Sequence, residues 1–88
     1  MRLKYHFEFT DVENEIIAVP VGEGANDIHG VLKLNPTGKE IMELLMSDTS
    51  VENIVSALDD KYEDERENLV SYVQTTVETL KNAGLIEG

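Results

Sequence analysis

The chain contains no cysteine, and its 88 residues include only two histidines, two prolines and seven basic side chains. Without cysteine it can form neither a disulfide framework nor a thiolate nucleophile or metal site. This composition fits a reducing cytoplasm. No apolar run approaches the length that spans a membrane, and the N-terminus carries no apolar segment of signal-peptide length. We therefore expect a soluble, cytoplasmic protein.

Basic residues are few against 18 acidic ones, which gives a formal net charge of −11. Residues 35–88 hold most of the excess, with four basic and twelve acidic side chains. Such a surface repels nucleic acid, whose phosphates bind proteins through lysine and arginine. It favours a basic protein or peptide partner, although acidic helices can equally serve solubility alone. We expect neither nucleic acid nor a membrane among the partners.

Catalytic and metal-binding patterns are also missing. His6 falls on the solvent face of a predicted strand and His29 in a glycine-containing loop, and neither has a nucleophile signature nearby. No metal-ligand spacing such as H-x-x-x-H occurs. The acidic residues at 59–60 and 63–65 lack the alternating ligands of a calcium loop. We therefore predict no enzymatic activity, no catalytic residue, no cofactor and no metal.

The start of the chain alternates with the period of two that is typical of strands. In residues 5–10, three aromatic side chains are expected to face the core, at Tyr5, Phe7 and Phe9. Residues 11–14 are polar and suit a tight turn. The sequence therefore predicts the first arm of a hairpin.

A run of β-branched residues, Glu15–Val21, predicts the second strand. Pro20 cannot donate to a ladder, so its end of the strand lies at an edge or pairs on one side only. Residues 22–30 contain three glycines and predict a loop, and a short third strand follows over Val31–Leu34. We predict a three-stranded antiparallel meander whose third strand lies at the edge.

The hydrophobic period then changes to that of helices. Asn35 suits an N-cap and Pro36 the first helical position, although Thr37 with Glu40 forms an alternative capping box. The helix is expected to end near Ser47. Its inward stripe comprises Ile41, Leu44 and Leu45, flanked by Met42 and Met46.

A second capping box, Thr49 with Glu52, predicts a helix that continues to Lys61. Apolar residues three and four apart give it one buried face. That face comprises Val51, Ile54, Val55 and Leu58.

Asp64 with Glu67 predicts the start of a last helix, which runs to about Ala83 and is followed by Gly84 at the position after the C-cap. Residues 85–86 are expected to fold back onto the core. The inward stripe comprises Leu69, Val70, Val73, Val77 and Leu80, and Tyr72 lies on its flank with Leu69 and Thr76. Strands followed by three helices predict one small α+β domain over residues 1–88, similar to a winged helix-turn-helix.

Two other classes of protein fit some of these features. A DNA-reading helix presents basic or amide side chains, but the middle helix presents Glu52 and residues 59–60, with only Lys61 basic. An acyl carrier fits the size and acidity, but it presents Asp-Ser-Leu at a helix start, where this chain has Asp48 followed by Thr-Ser-Val. Both remain as alternatives to peptide binding at an exposed strand edge.

Three stretches resemble the PqqD family, whose small domains are also described as recognition elements for ribosomally made precursor peptides. They read GVLKLNPTGKEIMELL, SVENIVSALDDKY and V-x-x-x-V-E-T-L-K-N-A-G-L-I-E, preceded by EIIAVPVG. The similarity covers about residues 4 to 87. The chain departs from the family at Pro36, where glutamate is common, at Met42, where an aromatic is common, and at residues 47–49, where an acidic-glycine pair is common.

The resemblance implies a non-catalytic function. The leader of a precursor peptide would add as a further strand beside the third strand, in a cleft walled by the last helix, and would be presented to a modifying enzyme, often a radical SAM protein. Carried onto this chain, the peptide-binding residues are Val31, Leu32, Lys33, Leu34, Leu69, Tyr72, Val73 and Thr76. Lys33 could pair with an acidic leader residue. A homodimer, through the first strand or the N-terminal arm, is left open.

Overall fold

The structure, a computed structural model, describes residues 1–22, 24 and 31–88. Its elements in chain order are β1 (Arg2–Leu3), β2 (His6–Val12), β3 (Glu15–Val21), β4 (Leu32–Leu34), α1 (Pro36–Leu44), α2 (Val51–Asp59), α3 (Arg66–Asn82) and β5 (Ile86–Glu87). The predicted α+β class, with a three-stranded antiparallel sheet and three helices, is confirmed. Apart from Gly22 and Gly24, the predicted loop over 22–30 lies outside the described residues.

A two-residue turn joins β2 and β3. Glu13 and Asn14 both have positive φ, 48° and 70°, as a type I′ turn requires. The turn sets a register that pairs Phe9 with Ala18 and Phe7 with Pro20, so these residues share the core-facing side of the sheet. Phe7 is buried, while Tyr5 and Phe9 pack against the core half-buried, as predicted.

Among the described residues, Pro20 has a strand partner on one side only, Phe7 of β2. β3 is central in the order β2-β3-β4, but β4 pairs only with the part of β3 from Ile16 to Ala18. Pro20 therefore lies beyond the described β4 pairing, where its missing N–H breaks no ladder bond. Within the described residues, this agrees with the predicted one-sided pairing at this end of the strand.

A second, two-stranded sheet was not predicted. It pairs Arg2 with Glu87 and Leu3 with Ile86, so the two ends of the chain meet. Main-chain N–H groups of Leu3 and Lys4 donate to the carbonyls of Leu45 and Leu85, both at 2.8 Å. The strands are two residues long, too short to produce a periodic pattern.

Of the two predicted starts of α1, the structure has the one with Asn35 as the N-cap. The Asn35 side chain accepts a hydrogen bond from the N–H of Gly38 at 2.7 Å, and Pro36 occupies the first turn. The Thr37 capping box is therefore wrong. The helix ends at Leu44 rather than near Ser47. Ile41 and Leu45 are fully buried as predicted, but Met42, which was assigned to the flank, is also fully buried, and Leu44 is only half-buried.

α2 is capped by Ser50 rather than by Thr49. The Ser50 hydroxyl accepts from the N–H of Asn53 at 3.1 Å. Thr49 is engaged elsewhere, because its N–H donates to the Met1 carbonyl at 2.8 Å and its carbonyl accepts from the Met1 amino group at 2.9 Å. The helix ends at Asp59, two residues before the predicted Lys61.

α3 likewise begins one residue later than predicted. Its N-cap is Glu65, and Asp64 Oδ1 accepts from the Glu65 N–H at 2.8 Å from just outside the helix. The predicted C-terminus is confirmed: Gly84 has φ of 78°, and the N–H of Leu85 bonds to the Leu80 carbonyl at 3.0 Å. This is a Schellman motif, which turns the buried Leu85 back onto the core as expected.

The core lies between the sheet and the three helices. The predicted inward positions of α2 and α3 are buried, except that Val51 and Val70 are half-buried. The fully buried side chains from the helices are Ile41, Met42, Leu45, Ile54, Leu58, Val55 and Val73. α3 therefore packs against α1 and α2 through one buried stripe, which comprises Leu69, Val73, Val77 and Leu80, and the remainder of its surface faces outward.

Candidate functional site

β4 forms one edge of the three-stranded sheet. Its register places Leu34, Lys33 and Leu32 opposite Ile16, Ile17 and Ala18 of β3. Among the described residues no strand pairs with its other side. The predicted edge position is therefore confirmed, although the strand begins at Leu32 rather than at Val31.

The register also fixes which main-chain groups reach the open edge. Residues that flank a two-residue hairpin exchange both hydrogen bonds, and bonded and non-bonded pairs then alternate. Counting from the turn at Glu13–Asn14, Ile17 belongs to a hydrogen-bonded pair with Thr10 of β2. The main-chain N–H and C=O groups of the adjacent Ile16 and Ala18 therefore point toward β4. It follows that Leu32 and Leu34 bond to β3, whereas the N–H and C=O of Lys33 point away from the sheet.

The side chains of β4 alternate as the sequence predicted. Leu32 and Leu34 are half-buried and pack against the core. Lys33 lies on the opposite face and approaches the Glu15 carboxylate at 3.9 Å, a loose pair between two exposed side chains. Val31, just before the strand, is 54% exposed. The edge therefore carries one apolar side chain and one cation that are open to contact.

The predicted residues of α3 do not all face outward. Leu69 and Val73 are buried, and Val73 has no exposed surface at all. Tyr72 is 37% exposed, and the half-buried Thr76 donates its hydroxyl to the Tyr72 carbonyl at 2.9 Å. Tyr72 and Thr76 thus form the accessible flank, and Val73 serves the core.

Asn35 connects the end of β4 to α3. Its Oδ1 accepts two hydrogen bonds, from the Gly38 N–H at 2.7 Å and from the Tyr72 hydroxyl at 2.9 Å. A Cβ at Gly38 would lie 3.2 Å from the same oxygen, so the absence of a side chain there leaves the bonds undisturbed. Sequence reasoning identified Asn35 as a cap but missed its bond to Tyr72, which joins residues 37 positions apart.

A cleft of about 510 Å³ lies beside this bond. Thr37 of α1, the link residues 62–64, and Asn68, Leu69 and Tyr72 of α3 line it. Two of these, Leu69 and Tyr72, belong to the predicted peptide-binding set; the others were not predicted, because the link between α2 and α3 has no periodic pattern.

Two kinds of site are absent from the part of the chain that the structure describes. No three histidine, cysteine or carboxylate side chains there come together in a way that could hold a metal ion. No helix within residues 1–22, 24 and 31–88 combines the length and apolar character needed to cross a bilayer.

Two solved structures share this architecture across almost the entire chain. One is described as TbiB1 in complex with the TbiA(beta) leader peptide; it is 22% identical, with a TM-score of 0.72 over 100% of this chain and 96% of that one. The other is a lasso peptide synthetase B1 complexed with the leader peptide, 21% identical, with a TM-score of 0.69 over 99% of this chain and 96% of that one. At these identities the likeness establishes a shared fold.

Sequence comparison assigns the family. Among curated protein sequences none matches this chain significantly. The family model for coenzyme PQQ synthesis protein D, PqqD, matches residues 11–86, from the end of β2 to β5. That match spans most of the chain and contains the edge strand, the Asn35 cap and all three helices. The chain therefore belongs to the PqqD family.

Proposed function

We propose that this protein binds the leader segment of a ribosomally made precursor peptide and catalyses no reaction itself. The leader adds to β4 as a further strand and lies alongside α3. The observation that carries the proposal is the open edge of β4, where the N–H and C=O of Lys33 point away from β3. Main-chain groups of this kind bind an extended peptide without regard to its sequence, and neighbouring side chains supply selectivity.

α3 is joined to the end of this edge strand by a side-chain bond. The Asn35–Tyr72 bond holds the helix beside the end of β4. Val31 and the ring of Tyr72 are among the few large apolar side chains that remain exposed in the described part of the chain. Both lie at the proposed peptide site, which gives a bound leader apolar surface to cover.

The two structural neighbours support the same proposal, because each is a complex with a leader peptide. The family and the fold agree with this use of the domain. We further propose that the bound precursor is presented in the cytoplasm to a modifying enzyme, such as a radical SAM protein. The single domain over residues 1–88 would then supply recognition while the enzyme supplies chemistry.

The alternative functions gain no support from side-chain placement. α2 exposes Glu52 and Asp59, and the nearby Lys61 lies 3.5 Å from Glu40, so this helix offers DNA phosphates little positive charge. The Ser50 hydroxyl caps α2, and the strands β2, β3 and β4 do not suit an acyl carrier.

A titration tests the proposal directly. The probe is a synthetic peptide that covers the leader encoded by a short reading frame beside the gene, added to ¹⁵N-labelled protein. We expect amide shifts in residues 31–34 and around Tyr72 and Thr76, together with slowed hydrogen exchange at the Lys33 amide. Shifts that leave both regions unchanged would contradict strand addition at β4.

A second measurement addresses the enzyme. The precursor should be modified faster by the adjacent modifying enzyme when the protein is present at stoichiometric concentration. A truncated precursor that lacks the leader is the matched control, and its modification should not respond to the protein. Equal stimulation of both substrates would show that presentation through the leader is not the mechanism.

A further inference from the structure

We propose that the cleft binds a lysine or arginine side chain of the same peptide, in the segment that precedes the residues paired with β4. The cleft can act in this way only if the peptide binds β4, as proposed above. Tyr72 is shared by both regions, because its hydroxyl bonds to Asn35 at the end of β4 and its ring lines the cleft.

The walls of the cleft suit the stem of a long cationic side chain. Tyr62 is half-buried, Tyr72 is 37% exposed and Leu69 is buried, so apolar and aromatic surface faces the space. Lysine and arginine pack their methylene stems on such surface, and their charged groups are attracted to the faces of phenol rings.

The rim of the cleft is negatively charged. It carries the exposed carboxylates of Glu63 and Asp64, and no lining residue is basic. The hydrogen bonds of Asp64 all go to Oδ1, from the Glu65 N–H at 2.8 Å and Asn68 Nδ2 at 3.1 Å, and they hold the carboxylate in place.

The basic side chains closest in sequence to this rim pair with other carboxylates. Lys61 lies 3.5 Å from Glu40. Arg66, at the start of α3, pairs with Asp59 at 3.3 Å. Among the ion pairs that the structure describes, none involves Glu63 or Asp64. The carboxylates of the rim would repel an acidic group of the peptide. They would attract a basic group, because no basic side chain among the described residues pairs with them.

The direction of the peptide determines which of its segments reaches the cleft. All neighbours in the order β2-β3-β4 are antiparallel, and a further strand that continues this pattern runs opposite to β4. Because β4 runs toward Asn35, the strand of the peptide begins near Asn35. The residues before that strand therefore lie next to Tyr72 and the cleft.

Random peptides displayed on phage test this and do not require the sequence of the natural precursor. Wild-type protein should enrich peptides with lysine or arginine before an alternating apolar segment. Glu63→Lys should lose this enrichment or replace it with aspartate or glutamate. The control is Glu78→Lys, which makes the same change in net charge at an exposed position on another face of α3 and should select as the wild type does.

Affinity measurements give the size of the effect. Replacing the selected lysine with glutamine should weaken binding to the wild type by about fivefold, and the difference should vanish in Glu63→Gln/Asp64→Asn. Two results would overturn the cleft assignment and leave strand addition intact. One is enrichment of basic residues after the apolar segment instead of before it. The other is no enrichment of basic residues at all, in peptides that bind the wild type but not Lys33→Pro. Peptides that bind Lys33→Pro as well as the wild type overturn the proposed function, and the cleft assignment with it.

Discussion

The hydroxyl of Tyr72 donates to Oδ1 of Asn35 at 2.9 Å, and that oxygen also caps α1. One side-chain atom thus fixes the start of the first helix, the end of β4 and the middle of the last helix. The proposed peptide site depends on the same three elements. Damage to this bond should therefore affect both stability and binding.

Tyr72→Phe should lower the free energy of unfolding by about 0.5–1 kcal/mol, because it removes one partly exposed hydrogen bond and keeps the ring. Asn35→Ala should cost about 1–2 kcal/mol or more, because it also removes the cap on α1. Urea denaturation followed by circular dichroism measures both. If Asn35→Ala lowers the free energy of unfolding by no more than Tyr72→Phe does, the cap on α1 contributes nothing to stability.

Lys33→Pro should weaken leader binding by at least about tenfold, because proline lacks the N–H that points to the open edge. The pairing of β4 with β3 should persist, since that N–H does not bond to β3. Lys33→Ala is the matched control: it removes the charge, retains the N–H and should have a small effect. Calorimetric titration with the synthetic leader distinguishes them, and equal losses in both variants would assign the effect to the lysine charge.

Met42→Ala should destabilise the protein by about 2–5 kcal/mol, because Met42 is fully buried and the change leaves a cavity. Leu44→Ala, at a half-buried position on the same helix, should cost less than half as much. Denaturant midpoints of the two variants measure the difference. A larger loss of stability in Leu44→Ala than in Met42→Ala would support the assignment made from helical spacing, in which Leu44 faces the core and Met42 lies on the flank.

Asp48 should contribute a pH-dependent stabilisation. A hydrogen bond from the amino group of Met1 at 2.7 Å, together with its positive charge, lowers the pKa of the Asp48 carboxyl. Because this pKa is lower in the folded than in the unfolded state, the stabilisation is present above the ordinary aspartate pKa, about 3.9, and is lost as the pH falls through the folded value. Asp48→Asn should therefore lower Tm at pH 7 but not in strong acid.

Salt provides the control for that prediction. The carboxylate is fully exposed. The difference in Tm between the wild type and Asp48→Asn should therefore be small and should shrink as the ionic strength rises. A difference that is independent of both pH and salt would indicate that Asp48 acts through packing.

Sequence patterns predicted the elements that depend on neighbours within a few positions. Strand Glu15–Val21, the Asn35 cap and the turn at Gly84 are of this kind, and all are confirmed. The helix starts at Thr49 and Asp64 were each wrong by one residue. At the first of these starts the adjacent Ser50 can also cap, and the choice depends on the main-chain bonds between Thr49 and Met1. At the second, Glu65 occupies the N-cap position without a side-chain bond to the helix.

Features that join distant parts of the chain could not be predicted. The pairing of β1 with β5 and the Asn35–Tyr72 bond connect residues that no local pattern relates. The same holds for the cleft, which combines residues from α1, α3 and the link at 62–64. Of the predicted site, the edge strand followed from alternation and the burial of Val73 from helical spacing, whereas the partner of the Tyr72 hydroxyl depended on how α3 packs.

The pairing of β1 with β5 has a consequence for the order of folding. Leu3 and Ile86 are partners, so this contact closes a loop that contains nearly the entire chain. Closing so long a loop costs more chain entropy than closing the two-residue turn of the β2–β3 hairpin. The contacts that offset this cost, two strand pairs and the main-chain bonds of Leu3 and Lys4, require Leu45 and Leu85 to be in place already. We therefore expect the end strands to join last and to open first, and transient separation of the ends should leave β4 and α3 assembled.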